Sequence, residues 1–158
     1  MIRKGINAKE KIKLIKIKKL NEHAITPTKG DPGAAGWDLY ACLPEGSITI
    51  WSKEVKIIDT GIAFEPPHGY FGGIYARSGL ATKQGLRPAN CVGVADESYR
   101  DSYKVALFND SGRSYTINHG DRIAQVVFHP YLTDELVEVD ELTETERGTD
   151  GFGSTGRA

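Results

Sequence analysis

Cysteine is scarce in this sequence, and long apolar runs are absent from it. Cys42 and Cys91 are the only cysteines among 158 residues, too few for a disulfide framework and too sparse for a zinc site. We therefore expect free thiols, buried in a protein of a reducing compartment. No apolar run approaches the roughly 20 residues of a membrane-spanning helix, and the basic N-terminal stretch lacks the apolar run of a signal peptide. These absences predict a cytoplasmic protein without a membrane partner.

Neither sign of charge is in excess. The chain has 20 basic and 21 acidic residues and a net charge of -1, so a general electrostatic attraction to nucleic acid is not expected. The charge is unevenly distributed along the chain. Nearly all charged residues in 1–20 are basic, whereas the charged residues in 134–146 are acidic. Two solvated faces of opposite sign are the simplest interpretation. The alternative is that the two ends approach each other, within or between subunits.

Several catalytic patterns are also missing. The sequence contains no P-loop, no zinc-protease helix and no glycine-x-serine-x-glycine elbow. The four histidines share no metal-ligand spacing; they are His23, His68, His119 and His129. Any phosphate chemistry would therefore have to use a hard cation carried by the substrate rather than a dedicated protein cage.

Short alternating runs dominate what is present, and the length suits one domain. The run at 11–20 places lysines between apolar residues, as in an edge strand guarded by charge. Further runs lie at 55–64, 103–108, 115–117 and 123–128, with turn signals rich in glycine, proline, asparagine and aspartate between them. This spacing predicts an all-β barrel or jelly roll with one short helix, Ser78–Gln84.

Two polar segments carry groups suited to phosphate binding and to water activation. Arg77 offers a planar fork of donors and Ser78 a hydroxyl, beside backbone N–H groups that could cradle an anion. A solvated arginine in a turn would show the same pattern. Asp96 follows an apolar run and precedes Tyr99, where a carboxylate could accept a proton from water. The alternative is that Asp96 only begins a hairpin turn.

Two more segments are patterned but ambiguous. At 120–125, Asp121 and Arg122 are expected to pair and close a turn, whereas the amide of Gln125 lies inside an apolar run and must find partners. The tail at 147–156 contains four glycines, which would let backbone N–H groups approach a phosphate closely. Its Phe152 could stack on a base. Taken alone, the tail would be a mobile terminus.

Together and in this order, five segments resemble the five motifs of the trimeric dUTPase family. They are AGWDL at 35–39, ARSGLA at 76–81, GVADESYR at 93–100, GDRIAQ at 120–125 and RGTDGFGSTG at 147–156. The resemblance implies a dUTPase-like distorted jelly-roll barrel over residues 1–146 and a mobile C-terminal lid over residues 147–158. It also implies a homotrimer with shared active sites that hydrolyses dUTP to dUMP and pyrophosphate.

The resemblance implies a role for each matched residue. Asp96 would orient and deprotonate the water that attacks the α-phosphorus, and Tyr99 would lie against the deoxyribose and leave no room for a 2′-hydroxyl. The phosphates would contact Arg77, Ser78, Gly79 and Gln125. Uracil would be bound by Asn90, Gly93, Val94 and Ala95, with Lys104 lining the same pocket. The lid would close over the nucleotide with Arg147, Phe152, Gly153, Ser154 and Thr155.

Magnesium is the cofactor that the resemblance implies, since family members use Mg²⁺ bound to the triphosphate oxygens. Asp38, in the first motif, would then act through water or support the site and would not bind the metal directly. In-line displacement at phosphorus depends mostly on positioning and charge neutralisation, which suits this arrangement.

The third motif departs from the usual family pattern in three places. Ala95 stands for the commoner isoleucine, Ser98 for a second aspartate and Asp101 for glycine. Two alternatives therefore stay open: a dCTP deaminase of the same fold, and a regulatory module that binds nucleotide without turnover. The complete fifth motif and Tyr99 favour the dUTPase.

Overall fold

The structure is a computed structural model that describes residues 14–90 and 92–149. Its elements are short strands and one helix of seven residues. In chain order they are β1 (Lys16–Lys19), β2 (Trp37–Tyr40), β3 (Ser47–Ile50), β4 (Val55–Asp59), β5 (Ile62–Glu65), β6 (Tyr70–Tyr75), α1 (Ser78–Gln84), β7 (Leu86–Pro88), β8 (Gly93–Ala95), β9 (Lys104–Asn109), β10 (Tyr115–Asn118) and β11 (Arg122–Pro130). The expected all-β class and the expected short helix are confirmed.

The strands form antiparallel sheets that enclose one core. A four-stranded sheet has the order β2-β11-β6-β8, and a three-stranded sheet has the order β4-β9-β7. Two further pairs join β1 to β5 and β3 to β10. Except in β1, the inward positions of these strands bury aliphatic side chains, and Tyr103, just before β9, adds its ring to the core. This burial is the main stabilising term, because alternate residues of each strand leave water.

The alternating runs correspond to observed strands. The run at 55–64 forms β4 and β5, separated where the carboxylate of Asp59 accepts a hydrogen bond from the N–H of Gly61 at 2.7 Å. The charged run at 11–20 contributes β1, whose four residues are all exposed. Alternation did not pick out β2, β3, β6, β7 or β8, because these strands are short or contain glycine.

Helix α1 follows β6 directly and ends at Gly85. That glycine has φ +71°, and its N–H donates to the carbonyl of Ala81 at 3.1 Å. A left-handed residue is the common way to end a helix, and glycine adopts it without steric cost. The sharp stop returns the chain into β7, and two residues separate the start of α1 from the end of β6.

Two remaining expectations concern the cysteines and the membrane. Cys42 is buried and unpaired, as expected, and burial raises the pKa of its thiol; Cys91 lies outside the described residues. In the described part of the chain, no helix is both long enough and apolar enough to cross a membrane.

Candidate active site

The first candidate cavity, called here the cationic cavity, lies where β2, the end of β6 and the start of β11 meet. Its volume is about 460 Å³. The lining includes Gly36, Asp38, Arg77, Ser78, Gly79, Lys83, Arg122 and Gln125. Three of these side chains are cationic and one is a carboxylate, so the cavity suits a polyanionic ligand. Ser78 and Gly79 begin α1, where backbone N–H groups have no partner within the helix.

Asp38 organises the cations of this cavity. One carboxylate oxygen accepts from Nε of Arg77 at 2.8 Å, and the other accepts from Nη1 of Arg122 at 3.2 Å. The Asp38 side chain is only 12% exposed, so the ion pairs lie partly out of water and restrict the arginines. Each guanidinium keeps further N–H donors, since arginine carries five.

The expected pairing of Asp121 with Arg122 is wrong. Asp121 does close the turn, because its carboxylate accepts from the N–H of Asn118 at 2.8 Å. Arg122 instead crosses to Asp38 on the neighbouring strand β2. A bulge in the β2–β11 pairing lies between Arg122 and Ala124, and such irregularities change the direction in which a side chain leaves a strand.

Gln125 has found the partner that its position in an apolar strand requires. Its Nε2 donates to the carbonyl of Ala76 at 2.9 Å. A β-carbon added to Gly36 would lie 2.8 Å from its Oε1, so glycine at 36 leaves the room that the amide occupies. Gln125 therefore fixes the backbone just before Arg77, in addition to lining the cationic cavity.

The second candidate cavity, called here the hairpin cavity, lies between β8 and the residues that follow it. Its volume is about 180 Å³. It brings together most of the residues that the third motif predicted; the lining is Ile74, Asn90, Gly93, Val94, Ala95, Asp96, Tyr99, Tyr103 and Lys104. Ile74 and Tyr103 supply an apolar wall, so the cavity combines a flat apolar surface with polar backbone edges, as a small aromatic ligand requires.

Asp96 lies at the rim of the hairpin cavity and is exposed. It does begin a turn, because its carbonyl accepts from the N–H of Tyr99 at 3.0 Å. Its carboxylate accepts no hydrogen bond from the residues in 14–90 and 92–149. A solvent-facing carboxylate with free lone pairs is able to accept a proton from a water molecule.

Two other residues of the turn have defined contacts. The hydroxyl of Tyr99 donates to the carbonyl of Ser102 at 3.1 Å, which fixes the ring against the chain that follows. Asp101, where the family usually has glycine, pairs with Nζ of Lys104 at 2.6 Å. The pair lowers the pKa of Asp101 and raises that of Lys104, through their hydrogen bond first. Lys104 thus reaches the cavity already tied to a neighbour.

The two cavities share no lining residue. The register pairs Gly72 with Ala95, so Asp96 lies beside Phe71 near the start of β6. Arg77 follows six residues later, just beyond the other end of that strand. At about 3.3 Å per extended residue, Asp96 and Arg77 are roughly 20 Å apart in one chain.

The carboxylates and imidazoles of the described residues form no group of three or more that could bind a metal ion. Both oxygens of Asp38 are occupied by arginines. Arg77 and Arg122 line the cationic cavity beside Asp38 and are placed to neutralise an anionic ligand.

Some predicted residues lie outside the described part of the chain, and some contacts were not predicted. Phe152, Gly153, Ser154 and Thr155 fall outside the described residues, whereas Arg147 falls within them. Sequence reasoning missed the partner of Arg122, the supporting role of Gly36, and Glu97, which is described below. For Gly36, its place within the AGWDL motif was the available signal.

The dUTPase family model matches residues 22–156, a span that contains both cavities. This chain belongs to the dUTPase family. It is 45% identical over 143 residues to the deoxyuridine 5′-triphosphate nucleotidohydrolase of Nautilia profundicola, which covers 90% of this chain and 99% of that protein. It is 43% identical over 145 residues to the protein of that name from Saccharomyces cerevisiae, covering 91% of this chain and 95% of that one.

Solved structures of the dUTPase family share the fold. The dUTPase of Staphylococcus bacteriophage 80alpha with dUPNHPP superposes with a TM-score of 0.82 at 28% identity, over 91% of this chain and 99% of that one. The dUTPase from phage phi11 of S. aureus gives 0.75 at 25% identity, over 84% and 99%. These similarities confirm the dUTPase-type jelly roll that the motifs implied.

Proposed function

We propose that the protein hydrolyses dUTP to dUMP and pyrophosphate, with Asp96 as general base for a water that attacks the α-phosphorus. The observation that carries the proposal is the free carboxylate of Asp96 at the rim of the hairpin cavity. That cavity offers a base-sized recess beside an unoccupied proton acceptor. Membership of the dUTPase family supports the same reaction.

The hairpin cavity would bind the deoxyuridine part. The backbone of β8 pairs with β6 along one edge. The other edge of β8, together with Asn90, would recognise uracil by hydrogen bonds. The ring of Tyr99 would lie against the deoxyribose. A 2′-hydroxyl pressed against that ring would lose its hydration without gaining a partner, at a cost of about 1–3 kcal/mol.

The cationic cavity would bind the triphosphate. Arg77 and Arg122 are oriented by Asp38, and Ser78 and Gly79 at the start of α1 line the same space. Mg²⁺, when bound to the triphosphate, supplies charge neutralisation and favours departure of pyrophosphate. The protein groups orient the phosphates and stabilise the negative charge that develops during displacement.

Replacing Asp96 with asparagine tests the role of general base. The substitution keeps the size of the side chain and removes the proton acceptor, so turnover of dUTP should fall by about 10²- to 10⁴-fold while dUTP still binds. Pyrophosphate release measures the first and calorimetry the second. Parent-like turnover by the variant would reject the role of Asp96. A parent that releases ammonia from dCTP, or binds dUTP without releasing pyrophosphate, would favour a deaminase or a regulatory module.

A homotrimer with shared sites would resolve the distance between Asp96 and Arg77. Directly paired residues lie on one face of the sheet, and its outer face carries Asp38 and Gln125 at one end. Val94 lies toward the other end, opposite Gly73, and is 65% exposed. A face with complementary halves of a site at its two ends suits head-to-tail contacts that close into a ring.

The acidic segment after β11 supports such contacts. Its apolar side chains are largely exposed in the single chain; they are Leu132, Leu136, Val137, Val139 and Leu142. An exposed apolar series of this length usually marks an interface. We propose that the segment packs on another copy and directs residues 147–158 over that copy's site as a lid. The exposed lysines of β1 offer a surface of opposite charge.

Mixing two inactive proteins tests the shared site. One carries Asp96→Asn with its tail intact, and the other keeps Asp96 but lacks residues 147–158. After unfolding and refolding together, some mixed trimers would place an intact tail over an intact Asp96, and activity should reappear. Mixed trimers that are confirmed by mass, yet are no more active than their parents, would reject the shared site.

A further inference from the structure

The turn that carries Asp96 is braced by the residue next to it. The carboxylate of Glu97 has three hydrogen-bond partners. It accepts from the N–H of Gly69 at 2.7 Å and from the hydroxyl of Tyr131 at 2.8 Å, and it lies 2.9 Å from Nδ1 of His68. Its side chain is 25% exposed, so these contacts lie partly out of water. None of these partners belongs to the five family motifs.

The three contacts join separate parts of the fold. Gly69 immediately precedes β6, which pairs with β8. Tyr131 is the first residue after β11, where the acidic segment begins. Its own N–H donates to the carbonyl of Gly69 at 2.9 Å. One carboxylate thus connects the Asp96 turn to the start of β6 and to the point where the acidic segment leaves the sheet.

Asp96 depends on this brace because it has no brace of its own. Its carboxylate makes no hydrogen bond within the described residues, so the backbone of the turn fixes its Cα and Cβ and no partner restrains the carboxylate further. A base must lie within hydrogen-bond reach of the water that it deprotonates. Displacement of catalytic groups by about 1 Å can cost 10²-fold in rate.

Resting on the proposed function, we propose that Glu97 is a positioning residue. It orients Asp96 by clamping the turn to Gly69 and Tyr131, and it touches neither substrate nor the reacting atoms. The clamp also couples the direction of the acidic segment to the position of the base. A displaced Tyr131 should therefore disturb Asp96 even though the two side chains belong to different segments.

The clamp is ionised across the working range of pH. The contacts with His68, Gly69 and Tyr131, in that order, lower the pKa of Glu97 to about 2. Because the folded-state pKa is lowered, any stabilisation is complete above the unfolded value near 4.5. It is lost as the pH falls toward 2. Between pH 5 and 9 the protonation state of Glu97 therefore does not change, and its contacts stay the same.

Glutamine and alanine separate geometry from charge. Both Gly69 and Tyr131 donate to the same oxygen, Oε2, and a glutamine oxygen can accept both bonds. Its amide nitrogen would then face Nδ1 of His68, which can accept in the appropriate tautomer. Glu97→Gln should consequently keep the clamp without the charge, whereas Glu97→Ala removes both.

The experiment measures kcat and KM for dUTP in the full-length protein. Glu97→Ala should lower kcat by about 10- to 100-fold with KM changed less than about threefold. Glu97→Gln should stay within about threefold of the parent, with an unchanged pH profile between 5 and 9. Tyr131→Phe should lower kcat modestly, and adding it to Glu97→Ala should have no further effect. Glu54→Ala, which loses an ion pair with Lys56 and a hydrogen bond from the N–H of Trp51, is the matched control.

Three outcomes would overturn the proposal: full kcat in Glu97→Ala, an equal loss in Glu97→Gln and Glu97→Ala, or a loss confined to KM. Amide hydrogen exchange supplies a readout independent of turnover. In the free protein, exchange at 96–100 should accelerate at least tenfold in Glu97→Ala and not in Glu97→Gln. If the parent does not hydrolyse dUTP, the proposed function fails. Unchanged exchange in Glu97→Ala would mean that the clamp itself fails.

Discussion

The two cavities are built in opposite ways. In the cationic cavity, three charged side chains and one amide have protein partners: Asp38 binds Arg77 and Arg122, and Gln125 binds the backbone before Arg77. In the hairpin cavity, Asp96 has no side-chain partner in the described residues, and its neighbour Glu97 makes the contacts. A phosphate site must present several charges in fixed positions, whereas a base must keep its lone pairs available for water. The difference follows from the chemistry that each cavity would perform.

Among three further substitutions, removing the organiser of the cationic cavity should have the largest effect. Asp38→Asn takes the negative charge from between Arg77 and Arg122, so the guanidinium groups lose their common anchor. We expect kcat/KM for dUTP to fall by about 10²-fold, measured by pyrophosphate release. Asp121→Asn, on the turn before β11, keeps an oxygen that can accept from Asn118. Its kcat/KM should stay within about twofold of the parent value. Similar losses in both variants would contradict a specific organising role for Asp38.

Opening the hairpin cavity should have an intermediate effect, seen in substrate choice rather than in overall rate. The parent should turn over UTP poorly, because its 2′-hydroxyl would be desolvated against Tyr99. Tyr99→Ala should lower the ratio of kcat/KM for dUTP to kcat/KM for UTP by about tenfold, which corresponds to roughly 1.4 kcal/mol. Equal turnover of the two nucleotides by the parent protein would exclude Tyr99 as the source of discrimination.

The smallest effect concerns the floor of the hairpin cavity and has an unusual sign. Tyr103 is 1% exposed and its hydroxyl has no hydrogen-bond partner within the described residues; burial raises its pKa to about 12. Tyr103→Phe removes an unsatisfied polar group, so the free energy of unfolding should stay equal or rise by about 1 kcal/mol.

Chemical denaturation of the free protein measures this effect, and Tyr99→Phe is the paired control. That substitution deletes a hydroxyl that donates to Ser102 and should lower the free energy of unfolding by about 0.5–1.5 kcal/mol. A clear loss of stability in Tyr103→Phe would show that its hydroxyl is satisfied in solution.

Much of the fold and site was predictable because its signals are local. The helix Ser78–Gln84 was predicted with its observed bounds, since Gly85 and the preceding polar turn are adjacent in sequence. Seven of the nine residues that line the hairpin cavity were predicted, since most of them lie in β8 and the turn that follows it; Ile74 and Tyr103 were not predicted. The short strands β6 and β8 were not, because glycines and brief length hide the alternation on which such predictions depend.

The sequence by itself determined the chemistry that the chain can offer: an arginine beside a short helix, a carboxylate after a hairpin, and turns at spacings that suit an all-β fold. Only the tertiary structure decided which groups meet. Arg122 reaches Asp38 rather than Asp121, Glu97 reaches Tyr131, and Asp96 lies roughly 20 Å from Arg77 at the other end of β6. These pairings depend on strand register and on bulges, which join residues 34 to 84 positions apart, and no local pattern encodes such distances.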